Sequence, residues 1–296
     1  MHSEPTPNRQ AARLRQLLDG NRLIMMPCCF DALSARLIQQ TGFDLTFLSG
    51  FSASVSRIGA PDVGLMSYAE VLDQARNAME RLDIPMMVDG DTGYGNPMNV
   101  ERTVEGFARA GCAGVMIEDQ VAPKRCGHTQ GKAVVDREEA YDRIRAAVAA
   151  RGRHDIVIKA RTDARRDHGL AEAIARAQRF AELGADIVFI EEPLNREEMR
   201  TICREMPVPT LANMLEGGQT PILSPAELED MGFAIAAYPL TCLASAMRAM
   251  VSTLTDLRAG RDHGGALMPF SELRERVGFD AYFESEVRYR RDTGPG

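Results

Sequence analysis

Leu170–Glu192, LAEAIARAQRFAELGADIVFIEE, contains one whole unit of the pattern that repeats through this chain. Leu170–Leu183 carries helical spacing, Gly184 follows, Ile187–Ile190 is a short apolar run, and Glu191 and Glu192 come directly after it. Glycine can take the left-handed conformation that ends a helix, so Leu183-Gly184-Ala185 reads as a tight turn from helix to strand. The apolar run suits a strand buried on both faces of a sheet.

Outward from this unit the same signals recur. Eight apolar runs are present: Leu23–Pro27, Leu45–Leu48, Pro85–Val88, Gly114–Ile117, Ile156–Ala160, Ile187–Ile190, Pro209–Ala212 and Phe233–Tyr238. Segments such as Tyr68–Leu82, Asn99–Ala110 and Arg137–Ala150 have helical spacing between them, and Gly42, Gly111 and Gly232 repeat the helix-to-strand turn. Strands alternating with helices predict repeated βα units and a parallel sheet. Eight units fit a closed (β/α)₈ TIM barrel, and the rival open sheet lacks its glycine-rich dinucleotide fingerprint after the first strand.

At 296 residues the chain has room for one barrel of roughly 250 residues plus extensions. The reading is one domain over 1–296 with its core at about 22–258. Residues 1–22 are a polar start and an amphipathic helix, Ala259–Gly265 is a linker, and a C-terminal helical extension spans about 266–290. A formal charge of −7 gives no general attraction to nucleic acid or anionic membrane. No apolar run approaches the roughly 20 residues that span a bilayer, and Met1–Arg15 is too polar for a signal peptide, so a cytoplasmic location is expected. The six cysteines lack paired metal-knuckle spacing, and most should be buried thiols.

In a barrel, residues just past the strands' carboxyl ends face one mouth. Here they are Asp31, Ser49-Gly50, Asp89 and Asp91, Glu118-Asp119, Arg161 and Asp163, Glu191-Glu192, and Asn213 with Glu216. In Val88-Asp89-Gly90-Asp91-Thr92-Gly93-Tyr94-Gly95, the two aspartates share a face of extended chain, and Glu118 leaves the neighbouring strand. Convergent carboxylates repel without a cation, and oxygen ligands with no nearby histidine favour Mg²⁺ or Mn²⁺. Singly, each acid could equally cap a helix or close a turn.

Lys124-Arg125-Cys126-Gly127-His128 places a thiol among cations, which lowers its pKa and favours proton exchange. The chain has only three lysines, Lys124, Lys132 and Lys159, which singles out their positions. Lys159, Arg161 and Asp163 alternate along one strand face. Arg161 can therefore reach the mouth and grip a carboxylate at two points, or else pair with Glu191 or Glu192. Backbone N–H groups at Ser49-Gly50 could hold another anion.

Leu48-Ser49-Gly50, Pro61-Asp62, Val88–Gly95, Ile117-Glu118-Asp119 and Lys124–His128, in this order, resemble the isocitrate lyase and phosphoenolpyruvate mutase superfamily over roughly residues 10–260. The cysteine loop is similar to its carbon–carbon lyase branch, which includes methylisocitrate lyase, 2,3-dimethylmalate lyase and oxaloacetate hydrolases. The resemblance implies a Mg²⁺ ion contacted by Asp89, with Asp62, Asp91 and Glu118 acting through its waters. It implies substrate binding by Ser49, Gly50, Phe51, Gly127, Arg161, Glu191 and Asn213. Cys126 would donate a proton, with Lys124, His128 and Arg161 stabilising charge.

The implied reaction splits a 2-hydroxy di- or tricarboxylate into pyruvate and a second acid. Oxaloacetate hydrolysis or decarboxylation is the alternative, and phosphonopyruvate or phosphoenolpyruvate mutase chemistry the more distant one. Two departures point to a smaller dicarboxylate: Phe47 stands where methylisocitrate lyases carry tyrosine, and Thr129-Gln130-Gly131 replaces their Arg-Pro-Asn. The substituent should be read by wall residues such as Phe47, Phe51, Leu215 and Pro239. The resemblance also implies a homotetramer that swaps a C-terminal helix between subunits.

Overall fold

The computed structural model describes residues 7–20, 22–125, 131 and 133–289. Eight strands run parallel: β1 (Ile24–Cys29), β2 (Thr46–Leu48), β3 (Met86–Asp89), β4 (Gly114–Glu118), β5 (Val157–Thr162), β6 (Ile187–Ile190), β7 (Leu211–Asn213) and β8 (Ile235–Tyr238). Each coincides with a predicted apolar run to within a few residues. Neighbours pair in the order β6-β5-β4-β3-β2-β1-β8-β7. Val188 of β6 bridges Thr210, just before β7, and brings the two ends of the sheet together. The result is the predicted TIM barrel.

Helices α1 (Arg9–Leu18), α2 (Ala32–Gln40), α3 (Gly50–Ile58), α4 (Tyr68–Met79), α5 (Pro97–Arg109) and α6 (Arg137–Arg151) belong to its first part. They are followed by α7 (Arg165–Glu182), α8 (Arg196–Glu205), α9 (Pro225–Met231) and α10 (Thr241–Arg258). Helix α7 starts before its predicted boundary, but Gly169 breaks it (φ 83°), so regular helix resumes at Leu170, where the apolar spacing begins. Gly184 and Gly232 take φ values of 105° and 97° at the helix-to-strand turns, as predicted for residues free of a Cβ.

Two apolar layers hold the barrel. Its interior is filled by Met26, Leu45, Phe47, Met87, Met116, Val157, Ile187, Phe189 and Ile235, in one cluster with Ala11 and Leu14 of α1. Asn8 ties the start of α1 to the sheet by donating from Nδ2 to the Cys112 carbonyl at 2.8 Å. Helix α1 thus packs on the inner core, and the polar strand ends gather around a separate mouth. The second layer lies between strands and helices, with Val88, Val104, Phe107, Ile117, Ile144, Ile158 and Phe180 at its centre.

The chain divides into two compact units, one ending at Leu243 and the next starting at Ala244. The second contains most of α10, then α11 (Phe270–Val277) and α12 (Phe279–Val287), which match the predicted C-terminal helical segments. Among the described residues, no helix is long and apolar enough to cross a membrane.

Candidate active site

A cavity of about 80 Å³ opens among the carboxyl ends of the strands. Ser49, Asp62, Asp89, Glu118, Lys124, Arg161, Glu191 and Asn213 supply its polar lining. Met26, Phe47, Met116, Phe189 and Leu211 reach it from the barrel interior. Phe51, Leu215 and Pro239 line it as well, so the four wall residues expected from sequence, Phe47 included, share one space.

The acidic group owes its shape to the turn after β3. Gly90 donates its N–H to the Met116 carbonyl at 2.9 Å, and a Cβ on Gly90 would lie 2.7 Å from that same oxygen. Only glycine permits this approach of β3 to β4. The turn forces Asp91 into left-handed backbone (φ 47°), and its N–H bonds Asp89 Oδ1 at 3.0 Å. Such strain in a residue with a side chain is tolerated where surrounding structure fixes it, commonly at functional sites.

Lys124 sits among these acids. Its Nζ lies 2.8 Å from Asp62 Oδ2, 2.8 Å from Asp91 Oδ1 and 3.8 Å from Asp89 Oδ2. Burial opposes charge on Lys124, but Asp91, Asp89, Asp62 and Glu118 outweigh it and hold the ammonium protonated well above the usual lysine range. Burial also raises the Asp91 carboxyl to about 6, partly offset by Lys124. A second backbone N–H, that of Gly50, donates to Asp89 Oδ2 at 3.2 Å. Ser49 caps α3, so the backbone donor predicted at Ser49-Gly50 is a helix N-terminus aimed at Asp89.

Arg161 organises the other side. It forms a two-point fork with Asp163 (2.8 and 3.0 Å) and meets Glu191 Oε2 at 3.1 Å and Glu118 Oε2 at 3.4 Å. Burial works against its charge, yet these three carboxylates keep it protonated well above the ordinary arginine value. Asn213 donates to Glu191 Oε1 at 3.2 Å. Of the two partners weighed for Arg161, Glu191 is the one in contact; Glu192 instead faces Arg166 at 3.8 Å. Glu118 is 2% exposed, and its Oε1 has no hydrogen-bond partner among the described residues. Burial pushes this carboxyl well above the carboxylate range.

Not every strand-end acid joins the cavity. Asp31 caps α2 through Ser34, the structural role considered for it. Asp119 turns to the helical side, accepting bonds from Thr162 Oγ1, the Asp163 N–H and Arg176. Glu216 accepts from Thr241. Asp163 supports Arg161 rather than reaching for a ligand. Cys126, Gly127 and His128 lie outside the described residues. Lys159, which the sequence singled out without giving it a role, is buried in the cavity lining with Nζ 3.9 Å from the centre of the Phe47 ring. Its signal was the alternation along β5, which turns Val157, Lys159 and Arg161 to one side.

A hard divalent cation fits the chemistry of the acidic group: all donors are oxygens, a cationic nitrogen already stands among three of them, and one buried carboxylate oxygen lacks a partner. Among the described residues no three such groups are spaced to share one ion.

Residues 14–258 match the sequence profile of the phosphoenolpyruvate phosphomutase family. The chain belongs to the phosphoenolpyruvate mutase and isocitrate lyase superfamily. Within this superfamily it is 42% identical over 282 residues to 2,3-dimethylmalate lyase of Eubacterium barkeri, covering 94% of this chain and 98% of that protein. A crystal structure of 2,3-dimethylmalate lyase superposes with TM-score 0.91 at 36% identity, over 99% of this chain and 100% of the other. Oxaloacetate acetylhydrolase bound to 3,3-difluorooxalacetate is similar to almost the same degree, with TM-score 0.90, 36% identity and the same coverage.

Proposed function

We propose that the chain is a carbon–carbon lyase that splits a 2-hydroxy dicarboxylate of the 2,3-dimethylmalate type, or the related 2-methylisocitrate, into pyruvate and a second carboxylic acid. The observation that carries this reading is a single cavity holding both an oxygen-donor cluster around Asp89 and the buried Arg161 guanidinium. The 42% identity to a 2,3-dimethylmalate lyase over nearly the whole chain supports it.

Asp89, with Asp62, Asp91 and Glu118, would hold Mg²⁺ (Mn²⁺ in its place). The ion, when bound, supplies charge that makes a 2-hydroxyl more acidic and draws its carboxylate into place. The rest of the work belongs to side chains. Arg161 orients a carboxylate; its contacts to three acids run through Nε and Nη2, which fix the guanidinium plane. Asn213, Ser49 and the Gly50 N–H bind the remaining oxygens, and Phe47, Phe51, Leu215 and Pro239 exclude water around the substituent. As the hydroxyl loses its proton and becomes a carbonyl, the bond between carbons 2 and 3 breaks, and its electron pair passes to carbon 3 beside a carboxylate. Lys124, His128 and Arg161 stabilise that charge, and the Cys126 thiol delivers the proton that completes the second acid. The assignments of Cys126, Gly127 and His128 rest on the sequence motif.

The protein is read as a cytoplasmic homotetramer, its 296 residues forming one barrel domain whose C-terminal extension packs on a neighbouring subunit. Support comes from the apolar residues left exposed on α10 (Met250, Val251, Leu254, Leu257) and in the last two helices (Phe270, Tyr282, Val287). Oxaloacetate hydrolysis is the second reading, favoured by the nearly equal likeness to oxaloacetate acetylhydrolase. Purified protein with Mg²⁺ and a panel of alkylated malates, 2-methylisocitrate and oxaloacetate separates the two. Pyruvate plus a second acid supports the lyase, whereas oxalate plus acetate from oxaloacetate alone refutes it.

A further inference from the structure

Cleavage next to a hydroxyl-bearing carbon requires a base for the hydroxyl proton, and the described groups around the cavity are not equal candidates. Asp62 and Asp91 are committed to Lys124, and Glu118 and Glu191 lie against Arg161. Lys124 keeps its proton far above neutral pH. Burial pushes the Cys28 thiol well above the usual thiol range, so it does not ionise either.

Lys159 is different. It is 2% exposed and lines the cavity, yet among the described residues its nitrogen has neither a hydrogen bond nor an ion pair. The nitrogen rests on the Phe47 ring, and the Phe189 ring lies within 5.9 Å of it and within 5.4 Å of the Arg161 guanidinium. The amine therefore neighbours the group that would orient the substrate carboxylate. A buried ammonium without an anionic partner is costly, and lysine in such surroundings readily gives up its proton.

We propose that Lys159 is the base that receives the 2-hydroxyl proton during cleavage, an assignment that rests on the lyase reading above. The neutral amine accepts the proton through its lone pair and becomes an ammonium. The carbon–oxygen bond becomes a carbonyl, and the pair from the broken carbon–carbon bond goes to carbon 3, which a separate donor protonates. Lys159 then returns its proton to water once pyruvate leaves.

The state of the amine suits this task. Burial lowers Lys159 to about 8, so an appreciable neutral fraction exists near physiological pH. The charged or titratable groups facing it are Cys28 from β1, Asp89 from β3, Arg161 from its own strand and Glu191 just past β6; Cys28, Asp89 and Glu191 favour the ammonium and Arg161 opposes it.

The test measures pyruvate release from pH 6 to 9.5 by wild type, Lys159→Met and Lys159→Gln, with oxalate binding followed by calorimetry. Expected are a wild-type kcat that rises with pH and levels near 8, and a fall in kcat of about 10²- to 10⁴-fold in both variants with that limb abolished. Oxalate affinity should stay within about threefold, and ethylamine should restore part of the turnover of a third variant, Lys159→Ala. A kcat within threefold of wild type in either folded variant overturns the assignment, as does a loss confined to KM and oxalate affinity, which would mark a binding role. The wild-type pH limb and its solvent isotope effect need no variant to fold, and their absence also overturns it. Wild type that cleaves nothing to pyruvate fails the lyase reading itself, and Lys159 as base with it.

Discussion

Gly50→Ala tests whether the position of Asp89 governs turnover. A Cβ on Gly50 would stand 2.5 Å from Asp89 Oδ2, 3.1 Å from its Cγ and 3.2 Å from Lys124 Nζ. Restoring ordinary contact requires the carboxylate to retreat by roughly 1 Å, and a displacement of that size in a reacting constellation costs on the order of 10²-fold in rate. Retreat is resisted because Asp89 Oδ1 is tied to the Asp91 N–H at 3.0 Å. The backbone has no objection to alanine, since Gly50 opens α3 without a left-handed φ, and alanine in a helix gains about 0.5–1 kcal/mol over glycine. Stability should therefore change by less than about 1 kcal/mol while kcat/KM for pyruvate formation falls by about 100-fold. Steady-state kinetics and urea unfolding on the same preparation read both quantities. Activity within threefold of wild type would refute the idea that Asp89 must be held where it is, and an equal collapse of stability and activity would refute the claim that the effect is local.

Lys124→Met leaves Asp62 and Asp91 facing one another without their cation and should destabilise the protein by about 3–5 kcal/mol in chelator, as loss of one partner of a buried pair does. Saturating Mg²⁺ should recover part of that loss in urea unfolding, and no recovery would count against a cation site at these acids. Arg161→Lys keeps the charge but loses the fork to Asp163, so a loss of about 100-fold in kcat/KM and a lowered Tm are expected, both read on the purified variant. For Lys159 the folded chain holds the proton less tightly than the unfolded chain, so this group adds stability as pH rises from about 8 to the ordinary value of 10.5. Lys159→Met should thus be more stable than wild type below pH 8, with an advantage that shrinks toward pH 10.5; a constant difference across that range in urea titrations would refute the sign.

The barrel was legible because its signals are local. Apolar runs and glycine stops each lie within a few residues, and all eight runs became strands. The motifs at Asp89, Glu118 and Arg161 were legible for the same reason, since strand ends converge once the barrel is granted. Less legible was the ownership of each charge. Asp31 and Asp119 occupy strand ends like Asp89, but one caps a helix and the other anchors Arg176, a buried arginine on a helix that no strand pattern could announce. Helix α3 was missed as well. Its start follows Leu48 without a break, so Ser49-Gly50 looked like loop when it was already a cap. Lys159 was visible as one of three lysines, yet its place against the Phe47 and Phe189 rings depends on which side chains from β2 and β6 meet it.

The place of Lys124 also bears on the proposed cation site. A tethered ammonium among Asp62, Asp89 and Asp91 acts as a built-in counter-ion, so folding need not wait for a metal. Loading of the proposed Mg²⁺ would then be an exchange of occupants rather than the filling of a bare electronegative hole. For the proposed Mg²⁺ the free energy of loading would be a difference between two cations, which favours reversible binding.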